Sequence, residues 1–258
     1  ALRNLSRVAP KTRARVLRAA AEMGYEPNPL GRGLVGGRTR TIGILWSLAG
    51  PHPSVNVVET MAIAAMHHGY VTYIADSLSD LPITRRALGD FEQRRVDGVV
   101  LEWSYTEPMA EEIKGRLARF PAAVVVSSSR FDPGVDFVHR DYGPAMAAMV
   151  DHFADGGRRR AALIGPLHSN GHKIDPFVTR ARERGLEVPS ELVVDVKFPP
   201  GLSPPFRDWS SYAGVLAERF PDGRVPFDCA FCTADEGAAA VVHWLRTRGV
   251  RVPEDVAV

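Results

Sequence analysis

The sequence predicts an α/β fold of two Rossmann-like lobes in tandem, preceded by a short basic helical segment and a hinge. Three observations carry this. From Thr41 onward, β-branched and aliphatic runs such as Thr41-Ile42-Gly43-Ile44-Leu45 alternate with amphipathic stretches of helical length, the pattern of parallel strands covered on both faces. The alternation comes as two successive sets with no long Ser/Gly linker between them. Ahead of both, residues 1–40 hold nine Lys/Arg against Glu22 and Glu26, a net +7 that leaves −5 for the rest of a chain totalling +2.

The first element is a helix over 9–23. Pro10 suits its first position, Val16, Ala20 and Met23 recur on one face, and Gly24 ends it. Arg13, Arg15 and Arg18 are left for other faces, where they can reach a polyanion. Residues 25–34 follow as Tyr-Glu-Pro-Asn-Pro-Leu-Gly-Arg-Gly-Leu. The prolines and Gly31, Gly33, Gly36 and Gly37 make a weak helix, each glycine costing a helix interior roughly 1 kcal/mol against alanine. We read it as a hinge that orders only against a partner, with residues 31–37 non-helical or poorly ordered without one.

The first set has strands over 41–47, 70–76, 98–102 and 122–126, with helices over 55–68, 83–94 and about 108–119. The second has helices over 143–154, 175–184, 210–219 and 236–247, with strands over 161–165, 192–196 and 228–232. The domain division is therefore 1–26, hinge 27–40, and a core 41–258 split into lobe 1 (about 41–142) and lobe 2 (about 143–258, incomplete). A chain of 258 residues, 45% apolar and 24% charged, is ample for such cores.

A resemblance becomes specific at Val8-Ala9-Pro10-Lys11-Thr12-Arg13, Val16, Ala19-Ala20, Gly24-Tyr25, Pro27-Asn28, Arg32 and Leu34. These residues resemble the end of the headpiece and the hinge of the lactose-repressor (LacI/GalR) family. The core adds Val96-Asp97-Gly98-Val99-Val100, Asp141 with His152, Gly157-Arg158-Arg159, Ala234-Asp235-Glu236-Gly237 and Val252-Pro253-Glu254-Asp255-Val256-Ala257-Val258. The resemblance covers nearly the whole chain. It implies a partial helix-turn-helix headpiece whose reading helix lies upstream of Ala1, a hinge, and a periplasmic-binding-protein-like (type I) core that continues past Val258. It implies a regulator, a repressor, that binds double-stranded operator DNA as a homodimer under control of a small-molecule effector. In the hinge, Leu34 would wedge between base steps from the minor groove, with Asn28 and Arg32 near the backbone or groove. The alternative on the same two lobes is a solute-binding protein of a sugar transport system, which would lack the basic arm.

Ligands of open parallel sheets bind at the carboxyl ends of strands. Those ends carry Trp46, Asp76, Tyr105, Arg130, Asp141 and Asp235, with Lys173 in the loop 166–173 that follows Gly165. Aromatics with short polar groups are the mixture a sugar requires. By the resemblance, Trp209 stacks on the ligand ring, Asp235 stands in an Asn-Asp pair whose first member here is Ala234, and Lys173 is the nearest match to a family arginine.

Several motifs are discounted. Gly31-Arg32-Gly33-Leu34-Val35-Gly36 fits G-x-G-x-x-G, but Pro27 and Pro29 forbid the strand a dinucleotide site needs before it. Cys229 and Cys232 fall inside a predicted strand, pointing to opposite faces. His168 and His172 flank Asn170-Gly171, which reads as a loop. No P-loop or nucleophile elbow occurs, so neither an enzyme nor a cofactor is expected. No run of ~18 apolar residues is present and no leader-like apolar segment opens the chain, so the expected location is the cytoplasm with no membrane partner.

Overall fold

A computed structural model describes residues 8–25, 37–47, 53–78, 80–103, 109, 111–167, 170–197 and 209–258. The segment preceding the core is the helix α1 (Pro10–Glu22), with Pro10 in its first turn. Its Leu17 and Met23 are exposed, and Ala20 is buried.

Lobe 1 is a five-stranded sheet of order β2-β1-β3-β4-β5. Its strands are β1 (Thr41–Trp46), β2 (Val71–Asp76), β3 (Gly98–Trp103), β4 (Ala123–Ser127) and β5 (Asp136–His139), every pair parallel. The helices α2 (Pro53–His67), α3 (Leu81–Arg94) and α4 (Glu111–Leu117) connect them. Side chains alternate across a strand, so Leu45, Leu101 and Val125 join Leu88, Phe91, Ile113 and Leu117 in one core. Ile44, Trp46 and Val58 form a smaller cluster. Gly43 is required by this packing, since a Cβ there would lie 2.5 Å from the Phe91 ring.

Lobe 2 has a three-stranded parallel sheet, β7-β6-β8, from β6 (Ala161–Gly165), β7 (Val193–Asp195) and β8 (Cys229–Cys232). Around it lie α5 (Gly143–Asp155), α6 (Gly171–Arg184), α7 (Trp209–Arg219) and α8 (Asp235–Arg246). The five residues of β6 are all buried: Ala161 and Leu163 face Phe177 and Phe231, while Ala162 and Ile164 face Tyr212, Leu216 and Trp244. Near the last residue, Ala257 bridges Cys229 in parallel and starts a further strand position beside β8.

Two expectations need correction. The strand β5 was not anticipated, because it is four residues long with alternating exposure and follows Asp132-Pro133-Gly134, which reads as a turn. The helix predicted over 175–184 begins at Gly171, so His172 lies in a helical first turn and not in a loop. Pro176 inside that helix masks its start in the sequence. Leu34 and the hinge expectation for residues 31–36, with His168, lie outside the described residues.

Candidate functional site

The carboxyl ends of the lobe 1 strands converge on Glu102, a carboxylate set between Leu101 and Trp103 in β3 and only 4% exposed. Its Oε2 accepts a hydrogen bond from the Ser47 amide just beyond β1, at 3.0 Å. Its Oε1 accepts one from Arg140 Nη2 at 2.8 Å. Burial raises the Glu102 carboxyl above its ordinary range; Arg140 and the Ser47 amide pull it back, and the charge of Asp76 adds a smaller upward push. A buried charge must be paired and hydrogen-bonded, and Glu102 is both.

Arg140 follows β5, and its amide donates to Ser127 O at 2.8 Å, which pins the crossing segment to the end of β4. The guanidinium stands over the Trp46 ring, 5.7 Å from its centroid, within cation–π range. Arg140 Nε and Trp46 Nε1 are buried donors with no hydrogen-bond partner among the described residues.

Lobe 2 supplies the facing wall. Lys173, in the first turn of α6, donates from Nζ to Thr233 O at 2.9 Å and lies 5.3 Å from the Tyr142 ring centroid. The His172 ring packs tilted on Tyr142 at 5.1 Å. Burial lowers the Lys173 amine from its ordinary range, opposed by Asp235 and reinforced by Arg140. Burial, then the charges of Lys173 and Arg140, bring His172 down to about 4, so its ring is neutral near pH 7. Arg140 therefore acts electrostatically on α6, placing the cation that closes lobe 1 near the one that opens lobe 2. Behind them Thr233 is buried, its Oγ1 without a hydrogen-bond partner among the described residues. Gly165 faces it at φ 144°, where a Cβ would lie 2.0 Å from that oxygen, so only glycine fits.

The predicted residues divide accordingly. Trp46, Asp76, Lys173 and Asp235 belong to these walls, although Trp46 is itself 1% exposed and packed with Ile44 and Val58 behind Arg140. Lys173 sits on a helix and not in a loop. Asp141 lies two residues before α5 and accepts from the Gly143 amide at 2.9 Å, a turn bond ahead of the helix. Arg130 approaches Asp141 at 3.9 Å with both side chains exposed, a contact worth little by itself. Arg13 lies on α1, half-buried. Trp209 opens α7, and its side chain is outside the described residues, as are Asn28, Arg32, Leu34 and Tyr105. Glu102, Arg140, His172 and Thr233 were not singled out as site residues. The available signal was the carboxylate interrupting Val99-Val100-Leu101-Glu102-Trp103, since such a residue inside a buried strand needs a partner.

Chemically, the described residues bring together N–H and O–H groups, carboxylate acceptors, a neutral imidazole and aromatic rings. That set suits a small neutral molecule rich in hydroxyl groups. The Cys229 and Cys232 thiols are pushed up to about 12 by burial, out of thiolate range at neutral pH. Among the described residues, no group of three or more His, Cys, Asp or Glu could hold a metal ion, and no helix is long and apolar enough to cross a membrane.

A periplasmic binding protein-like domain family matches residues 150–258. The chain is 26% identical over 258 residues to catabolite control protein A of Staphylococcus xylosus, covering 97% of this chain and 73% of that protein. Its fold is similar to a lac repressor dimer bound to operator and the anti-inducer ONPF, with a TM-score of 0.83 at 19% identity, covering 99% of this chain and 74% of the other. It is also similar to a LacI family regulator from Lactobacillus casei with bound glucose, with a TM-score of 0.66 at 21% identity, covering 84% and 78%.

Proposed function

We propose that this chain is a transcriptional regulator of the LacI family, a repressor that releases or holds operator DNA according to a sugar-class effector in the cleft described above. The carrying observation is the combination of the +7 arm, including the basic helix α1, with an end-to-end likeness to a repressor seen on its operator. Neutralising phosphates with such an arm releases counterions and drives association. The relatives support the regulator and not a transport-system binding protein. They also support a ligand that is bound without being turned over, in the cytoplasm, where the DNA is.

For the DNA-binding group we propose Arg13 on α1 with Asn28, Arg32 and Leu34 in the hinge. For the effector group we propose Trp46, Asp76, Tyr105, Arg130, Asp141, Lys173, Trp209 and Asp235, now joined by Glu102 and Arg140. The division at 26, 40 and about 142 is proposed with them. The bound glucose of the Lactobacillus casei regulator supports a sugar; Ala234 in place of an amide side chain leaves Asp235 and Lys173 to set which one.

The active form is proposed to be a homodimer joined through α2 and β2. The edge strand β2 exposes Val71 and Ile74, and α2 exposes Val57, Ile63 and Met66. An apolar edge strand left open invites pairing.

The test is selection of a duplex from a random pool by the full-length protein, followed by a salt series. We expect a specific duplex to emerge and its affinity to fall by about a thousandfold between 50 and 200 mM salt for roughly six phosphate contacts. A protein that enriches no duplex at low salt would not be this repressor.

A further inference from the structure

Asp97 lies at the opposite edge of lobe 1 from the cleft, immediately before β3, and no role above uses it. Its carboxylate is half-buried and holds the two residues that lead into β1. Asp97 Oδ1 accepts from the Thr39 amide at 2.7 Å and lies 3.0 Å from the Thr39 hydroxyl, while Oδ2 accepts from the Arg40 amide at 3.0 Å. The Thr39 hydroxyl also lies 2.9 Å from Arg95 O and 2.7 Å from the Thr41 hydroxyl, so it ties the turn before β3 to the start of β1. The sheet does not need these bonds, since Asp97 already joins it by donating its own amide to Thr41 O at 2.8 Å.

The segment so held has an unusual course. Gly37 has φ 70° and Arg40 φ 54°, so the chain turns left-handed on both sides of Arg38-Thr39, and for arginine that region is sparsely populated. A carboxylate gripping successive amides keeps such a conformation in place, because hydrogen bonds to a charged acceptor are the strong ones. The course of residues 39 and 40, through which the arm joins the core, is thus set from a position nearly sixty residues later in the chain.

We propose that Asp97 is a positioning residue for DNA docking: it fixes the exit angle of the basic arm from lobe 1, so that the arms of a dimer reach the duplex at a set spacing. This rests on the repressor reading above. Without the clamp, the core folds and the arm keeps its charge, but the arm must be ordered anew on each docking.

The experiment compares the full-length protein with Asp97→Asn, which turns an N–H donor toward the Arg40 amide, Thr39→Val and Thr39→Ser. Hydrogen exchange at Thr39, Arg40, Leu45 and Leu101 is measured, along with affinity for the duplex selected by the unmodified protein and for sheared duplex DNA. Asp97→Asn and Thr39→Val should speed exchange at 39–40 by about tenfold or more, leave Leu45 and Leu101 unchanged, and weaken the selected duplex about tenfold with sheared DNA unaffected. Thr39→Ser should behave as the unmodified protein. If the unmodified protein selects no duplex, the repressor reading falls and takes the docking role with it. If it selects one and Asp97→Asn binds that duplex as tightly, or loses protection throughout the core, the docking role alone is overturned.

Discussion

Glu102 and Arg140 form the pair on which the site turns. One is a carboxylate forced into an apolar strand, the other a guanidinium that satisfies it while sitting on an indole. Single residues of this kind are poorly legible in a sequence, because the need for a partner can be read at Glu102 but the partner lies 38 positions away across a sheet. Asp235 and Lys173 were marked by a resemblance and not by a local signal of their own. His172 was misassigned because Asn170-Gly171 reads as a loop, whereas Asn170 stands at the N-cap of α6. The burial of His172 has a measurable consequence. Its folded-state pKa of about 4 lies below the ordinary 6.5, so between these values the unfolded chain binds a proton that the folded chain does not, and stability falls as the pH drops through that window. His172→Gln should flatten the decline in melting temperature between pH 6.5 and 4. Parallel curves for the two proteins would show that His172 titrates normally.

At the scale of elements, strands announced by continuous aliphatic runs were read within a residue or two, and β6 was placed over the observed range, because a strand buried on both faces leaves a dense signal. The edge strand β5 left none, since two of its four residues are exposed. The same physics singles out α2. Its Val58 and Ala65 are buried, yet Val57, Ile63 and Met66 on the same helix are not, and Val71 and Ile74 continue the apolar surface onto β2. A helix apolar on more than one side has a second surface to cover. The double variant Ile63→Asp/Met66→Asp should convert a dimer into a folded monomer in sedimentation velocity. A variant that remains dimeric would place the interface elsewhere.

At the scale of the molecule, the two-lobed order was legible because the strand–helix alternation repeats, and the arm was legible as a charge asymmetry. What joins them was not: the chain crosses between lobes at Arg140-Asp141-Tyr142, where one cation bears on lobe 2, and the arm is held by Asp97 at the opposite edge of the same sheet. The cleft and the junction with the arm at residues 39–40 thus sit at opposite ends of lobe 1. In the mechanism proposed, the lobes have two states that present the arm differently, so a ligand that binds them unequally shifts that presentation, and the linkage is reciprocal. The direct test is to titrate the full-length protein with its selected duplex, with and without the sugar that most raises its melting temperature, and then to titrate that sugar with and without the duplex. Each ligand should change the affinity of the other by one common factor of about fivefold or more, as a reciprocal linkage requires. Duplex affinity that is unchanged at saturating sugar would contradict it.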